Sequence, residues 1–266
     1  MTDPSFPAGA LALAGRMADA AGAVIRPHFR TGIAIVDKAD ESPVTIADRD
    51  AETAMRRLIE DTFPDHGILG EEHGAVRTDA EFVWVLDPID GTKAFISGVP
   101  VFGTLIALLQ GGRPVLGIID QPISGERWLG AFGHGTTLNG RPVRARPCDR
   151  LDRATLFATA PDMFKDAEID AFERLRRSVK LTRWGTDCYA TAMVASGHGD
   201  LVVESSLQSY DFCALVPVIE GAGGIATDWD GRPLRLDSGK RSAIAGDARA
   251  HAAALECLAW GSGRAG

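Results

Sequence analysis

The stretch "WVLDPIDGTKAFISG", residues 84–98, sets Asp87 and Asp90 three positions apart on a proline-interrupted turn that closes an apolar run. Pro88 fixes its own φ and biases Asp87 toward an extended conformation, while Gly91 lets the chain turn sharply, so both carboxylates can converge on a cleft at a sheet edge. Carboxylates held together raise one another's pKa unless a cation compensates them. An oxygen-only donor set suits Mg2+, Mn2+ or Ca2+ better than zinc, and Mg2+ is the expected occupant, with Mn2+ able to substitute. Further candidate ligands stand at other element boundaries: Glu71 and Glu72 in "LGEEHG", and Asp211 in "SYDFCA" at the start of a predicted helix. Taken singly, each motif also reads as ordinary structure, since Asp, Pro and Gly are turn residues and a Glu pair is usually solvated.

The elements that must position these residues follow from periodicity. Apolar residues recur at helical spacing from Gly9 to Phe29, with Gly32 a plausible C-cap, and again over "TIADRDAETAMRRLIEDTF" until Pro64 stops the pattern. Between them "IAIVDKADESPV" reads as a short strand entering a polar loop, with Ser42 and Thr45 as loop or capping residues. "EFVWVLD", "FGTLIALLQ" and "VLGIIDQP" read as strands, the last two joined by a Gly-Gly hairpin turn. From Ala154 the pattern alternates strand and helix: "ATLFATA", "DMFKDAEIDAFERLRRS", "VKLTRW", "TDCYATAMVASG", "DLVVES", "YDFCALVPVIEGAG", "SAIAGD" and a last Ala-rich helix. This predicts an α/β protein with antiparallel sheet in the first half and a mixed, partly parallel sheet in the second. Residues 1–150 and 151–266 are then two subdomains sharing one cleft, joined by a turn at "RPCDRLD".

Composition bounds the rest. A chain of 266 residues, 45% hydrophobic and 24% charged, can bury a substantial core, and no apolar run approaches the roughly 18 residues of a membrane span. The N-terminus lacks a basic leader region, so a cytoplasmic location is expected. Net charge is −8 and no block of Lys or Arg marks a phosphate-tracking surface, so neither membrane nor nucleic acid is an expected partner. Cys148, Cys188, Cys213 and Cys257 form no C-x-x-C pair and are expected as buried thiols. The six histidines show no metal-ligand spacing and are expected at the surface or in loops. "GAFGHGTTLNG" contains a G-x-G but lacks the third glycine and a following helix, so it reads as a turn rather than a dinucleotide site. Trp128 and Trp184 lie in strand-like stretches, and Trp184 is close enough in sequence to Asp187 to line a pocket.

In combination, "GEE" about a dozen residues before "WVLDPIDGT", then "YDFCA" before "EGAGG", resembles the inositol monophosphatase superfamily of Mg2+-dependent phosphatases, over nearly the whole chain. The resemblance implies the layered αβαβα sandwich of that superfamily, a small phosphate ester as substrate, and a homodimer. It implies one metal held by Glu71, Asp87 and the backbone carbonyl of Ile89, and a second held by Asp87, Asp90 and Asp211. A weaker third ion near Glu71 is also compatible with it. Thr92 paired with Asp48 would orient and deprotonate the attacking water, and Lys38 lies on a loop that closes over the site. The backbone N–H groups of Gly91 and Thr92, opening a short helix, would point at phosphate.

Substrate choice rests on Gly185, Asp187 and Glu204. Asp187 occupies a place where inositol phosphatases of the superfamily usually carry a small residue, and Glu204 matches their substrate-facing glutamate. Together they make an acidic subsite, which favours a cationic leaving alcohol through charge-assisted hydrogen bonds. Histidinol phosphate fits that demand, and "DPIDGTKAFISGVPVFGTLIALL" resembles the histidinol-phosphate phosphatase branch. The alternatives are an inositol or broader sugar- or nucleotide-phosphate phosphatase, and, from another class, a metal- or phosphometabolite-binding regulator without turnover. Asp187 also reads as a helix N-terminal acid that touches no ligand.

Overall fold

A computed structural model describes residues 5–31, 36–37 and 43–259. Lys38 and Ser42 fall outside the described residues. Helix α1 (Ala10–Ile25) buries Leu13, Ala14, Met17, Ala18, Ala21 and Ile25, a stripe at helical spacing. It stops short of Phe29: Pro27 has no N–H to continue the ladder, and residues Arg26–His28 tighten into a 3₁₀ turn. The two-residue strands β1 (Val36–Asp37) and β2 (Pro43–Val44) pair antiparallel. Helix α2 (Ile46–Thr62) begins at Thr45, an N-cap that forms a capping box with Asp48.

Next come β3 (Gly67–Gly70), β4 (Gly74–Val76), β5 (Phe82–Asp90), α3 (Thr92–Ile96), β6 (Gly103–Gln110) and β7 (Arg113–Gln121). Three further strands, β8 (Glu126–Ala131), β9 (Gly135–Leu138) and β10 (Arg141–Pro142), complete a sheet ordered β10-β9-β8-β7-β6-β5-β3-β4. All its pairings are antiparallel except β3 with β5. Both faces of this sheet are buried, which is why its central strands read as continuous apolar runs. On β5, Trp84 and Leu86 pack into one core with α1 and α2, while Val83 and Val85 pack into another.

The second half contributes β11 (Thr155–Ala158), α4 (Ala167–Ser178), β12 (Leu181–Trp184), α5 (Tyr189–Ala195), β13 (Leu201–Glu204), α6 (Ser209–Phe212), α7 (Leu215–Gly221), β14 (Ile225–Thr227), β15 (Ser242–Ala245) and α8 (Ala248–Leu258). The predicted single helix at residues 210–223 is therefore two, because Pro217 cannot donate to the carbonyl of Cys213. The second sheet runs β12-β11-β13-β15-β14, with β11 parallel to both neighbours and β15 antiparallel to both of its own. Helices α5 and α7 fill the space between the sheets, and α4 and α8 cover the far face of the second, so the layers run α, β, α, β, α. The middle layer approaches closely: a Cβ at Gly117 would lie 2.1 Å from the Ala214 carbonyl oxygen, and one at Gly130 2.2 Å from that of Pro217.

Two side chains lie elsewhere than the sequence suggests. Trp184 packs on Phe172 of α4, with ring centroids 5.4 Å apart, in the core that α4 and α8 share with the second sheet. His251 is buried in α8, its Nε2 2.8 Å from the Thr227 hydroxyl, and burial holds its pKa below the ordinary 6.5. The unfolded chain therefore binds more protons below that ordinary value. The stability His251 contributes is complete above it and is lost as pH falls toward the lower folded pKa. Melting temperature measured from about pH 8 to about pH 5 should decline less steeply in His251→Gln than in the parent protein, and equal slopes would remove this assignment.

Candidate metal and substrate site

The apolar run of β5 carries the chain to Asp87, which is 2% exposed, and the strand continues through Pro88 and Ile89 to Asp90 with a register shift against β6 between the two acids. This bulge turns a strand end into a small cup. Within it the Ile89 N–H donates to Asp87 Oδ1 (3.1 Å), and the buried Thr104 hydroxyl donates to the Pro88 carbonyl (2.8 Å). The Cys188 N–H at the start of α5 donates to Asp90 Oδ2 (2.7 Å). Asp211 enters from the first turn of α6, where it also accepts the Gln208 N–H (2.7 Å). Oxygens of Asp87, Asp90 and Asp211 all lie within 4.8 Å of one another, although the three residues come from distant parts of the chain.

Glu71 follows directly on β3, and its N–H donates to the Leu86 carbonyl (3.2 Å), so the parallel pairing of β3 with β5 delivers it beside Asp87. The electrostatics follow from this crowding. Burial, and then the charges of Glu71, Asp90 and Asp211, push the Asp87 carboxyl well above the usual range. Burial, then Asp187 and Asp211, do the same to Asp90. A cup of crowded, buried hard oxygen donors is a fitting donor set for a divalent ion such as Mg2+.

Gly91 sits at φ +86° as the residue before α3, and a Cβ there would meet the Asp187 carboxyl carbon at 2.8 Å. Glycine is thus required twice, for its left-handed backbone and for the approach of Asp187. Asp187 itself is held at φ 41° after β12, in the region that Asp and Asn tolerate better than most residues. Its pKa is pushed up to about 6 by burial, against the lowering influence of Lys93. Glu204, at the end of β13, is buried and accepts the Thr159 hydroxyl (2.5 Å); burial pushes its pKa to about 7, Thr159 opposes that, and the charges of Asp187 and Asp211 add to it. Gly185 is exposed at φ +76° with open space where a Cβ would stand. Asp187, Thr159 and Glu204 all follow or end the parallel strands β11–β13, the end of an α/β sheet where ligands usually bind.

Asp48 and Thr92 each have another partner. Asp48 is buried on α2 and accepts both the N–H (2.8 Å) and the hydroxyl (2.6 Å) of Thr45, while burial raises its pKa to about 6 despite those bonds. Thr92 donates its hydroxyl to the Ile89 carbonyl (3.1 Å), the oxygen expected to face a metal. Sequence reasoning overlooked Thr104 and Thr159, which hold the bulge and Glu204. A lone hydroxyl inside the apolar run "FGTLIALL" is the available signal for Thr104.

Comparison with known proteins places the chain in a family. The pattern of the inositol monophosphatase family matches residues 10–263. A bifunctional phosphatase IMPL2, chloroplastic, of Arabidopsis thaliana is 51% identical over 258 residues, covering 94% of this chain and 75% of that protein. A histidinol-phosphatase of Chlorobaculum parvum is 36% identical over 229 residues, covering 85% and 88%. The solved structure of an inositol monophosphatase from Zymomonas mobilis superposes with a TM-score of 0.88 at 48% identity, covering 95% of this chain and 99% of that one. Among the described residues no helix is long and apolar enough to cross a membrane. With an acidic cup built from β5 and α6, a fold shared with a solved member and a family pattern spanning nearly its whole length, this chain belongs to the inositol monophosphatase family.

Proposed function

We propose that this protein is a Mg2+-dependent phosphomonoesterase that hydrolyses L-histidinol phosphate to L-histidinol and phosphate. The observation that carries the reading is the juxtaposition of two acidic groups: the Asp87, Asp90 and Asp211 cup, and Asp187 with Glu204 beside it. The first suits divalent ions and the second suits a cationic alcohol. Similarity to a bifunctional phosphatase and to a histidinol-phosphatase supports the same choice.

In this reading Glu71, Asp87 and the Ile89 carbonyl hold one ion, and Asp87, Asp90 and Asp211 the other. When bound, such a pair neutralises phosphate oxygens and makes water acidic enough to act as a nucleophile. The chain does the rest. Gly91 and Thr92 offer backbone N–H groups to the phosphate. Thr92 orients the attacking water, its hydroxyl rotating away from the Ile89 carbonyl, and Asp48, with a pKa near neutrality, receives the proton. Asp187 and Glu204 hold the ammonium and imidazole of the alcohol. Residues 1–150 supply most ion ligands, and residues 151–266 supply Asp211 and the alcohol subsite, each half acting as a subdomain.

A steady-state panel of phosphate esters in Mg2+ tests the proposal. Phosphate release should be greatest with histidinol phosphate and abolished by chelator. A preference for inositol 1-phosphate would replace the substrate, and no release from any ester would favour a regulator without turnover.

A further inference from the structure

Helix α2 carries a second buried acid one turn beyond Asp48. Glu52 is 0% exposed and lies on the same stripe as Ala47, Ala51, Met55 and Ile59. A carboxylate buried among apolar residues is costly unless its oxygens are fully engaged. Those of Glu52 are. They accept the Arg56 side chain (2.7 Å), the Glu72 N–H (2.7 Å) and the His73 N–H (3.1 Å), and Arg56 in turn donates to the Gly74 carbonyl. Among the described residues, apart from Arg56 on its own helix, its hydrogen-bond partners fall on the short turn joining β3 to β4.

Gly70 gives an independent indication. A Cβ there would stand 2.0 Å from one Glu52 oxygen and 2.7 Å from the other, so the residue directly before Glu71 must be glycine for the carboxylate to fit beneath the turn. The turn's other anchor is the Glu71 N–H to the Leu86 carbonyl, next to Asp87. Glu71 is therefore fixed from two sides, by β5 through its own N–H and by α2 through the N–H groups that follow it.

We propose that Glu52 is a positioning residue for the metal site: it grips the β3–β4 turn so that Glu71 is aimed at Asp87 before an ion arrives. This rests on the reading of Glu71 as a metal ligand. Groups that orient ligands without touching the ion typically change affinity 10- to 100-fold when removed, and that is about the effect expected here.

The test is calorimetric titration of Mn2+ into the full chain, comparing the parent with Glu52→Gln, Gly70→Ala, Glu71→Gln and the double variant Glu52→Gln/Glu71→Gln. Glu52→Gln should weaken Mn2+ binding roughly 10- to 100-fold, and kcat at saturating Mn2+ should return to within about threefold of the parent. Gly70→Ala, which drives the same carboxylate out by steric contact, should reproduce the weakening and serves in its place if Glu52→Gln does not fold. The double variant should bind no more weakly than Glu71→Gln, because residues acting through one another are non-additive. A Glu52→Gln protein that melts lower yet binds Mn2+ as the parent does would overturn the inference, as would additive losses in the double variant. Unchanged affinity in Glu71→Gln would instead overturn the ligand reading, and the inference with it.

Discussion

Replacing Asp90 with Asn is expected to make the metal-free protein more stable and the enzyme inactive. The carboxylates of Asp87, Asp90 and Asp211 have oxygens within 4.8 Å of one another, and both β5 acids have pKa values raised first by burial and then by their acidic neighbours. At 4.8 Å two full charges repel by about 3 kcal/mol at an effective dielectric constant of about 20, and partial protonation reduces that repulsion. A carboxyl whose folded pKa is raised gives its full stability below the unfolded value and loses it as pH rises through the folded one. At neutral pH the empty cup is therefore a standing cost. Asn keeps the size of the side chain and an oxygen for the Cys188 N–H, so it removes the charge without opening a cavity. In chelator, Asp90→Asn should melt several degrees above the parent, and Mg2+ should raise the variant's melting temperature by clearly less than the parent's, since the ion held by Glu71, Asp87 and the Ile89 carbonyl does not need Asp90. Phosphate release should fall on the order of a thousandfold, since several kcal/mol of charge stabilisation are removed. A variant that melts at or below the parent in chelator would show that repulsion in the cup is not what the fold works against.

Much of this site can be read from residue order because its parts mark the ends of regular elements. Asp87 closes the apolar run of β5, Gly91 supplies a turn that needs positive φ, and Asp211 opens a helix. The signals fade where pairing is non-local. Strand β3 is only Gly-Ile-Leu-Gly, too short to show alternation, yet its parallel pairing with β5 places Glu71. Strands β9, β10 and β14 are too short or too glycine-rich to show alternation, whereas the stretch around Trp128 reads as the strand that becomes β8. Glu52 is hidden differently. "TIADRDAETAMRRL" contains several acids, and only projection onto the helix puts Asp48 and Glu52 on the stripe of Ala47, Ala51 and Met55. A charge on an apolar stripe needs a partner, and the partner here is the turn that bears a proposed ligand. Trp184 went astray because sequence proximity to Asp187 says nothing of which sheet face a strand residue takes.

The second large effect concerns the alcohol subsite, and the expected result is a selective loss. Asp187→Asn keeps the side-chain size and the tolerance for φ 41°, while removing a charge that lies against Gly91 of the turn proposed to face the phosphate. Hydrogen bonds to charged groups contribute about 1.5–3 kcal/mol, so kcat/KM for histidinol phosphate should fall roughly 10- to 100-fold, whereas inositol 1-phosphate should change by less than about threefold. The pH dependence strengthens the case. Asp187 and Glu204 have pKa values raised to about 6 and about 7, chiefly by burial, so the empty subsite retains protons near neutrality. A cationic alcohol favours the ionised carboxylates, and its binding must displace those protons. KM for histidinol phosphate should therefore fall as pH rises through this range, more steeply in the parent than in Asp187→Asn, and calorimetry in buffers of different ionisation enthalpy should register proton release. Equal losses for the cationic and the neutral ester would mean that Asp187 acts on the neighbouring Asp90 and the ion site, and the subsite would then have to be sought around Glu204 alone.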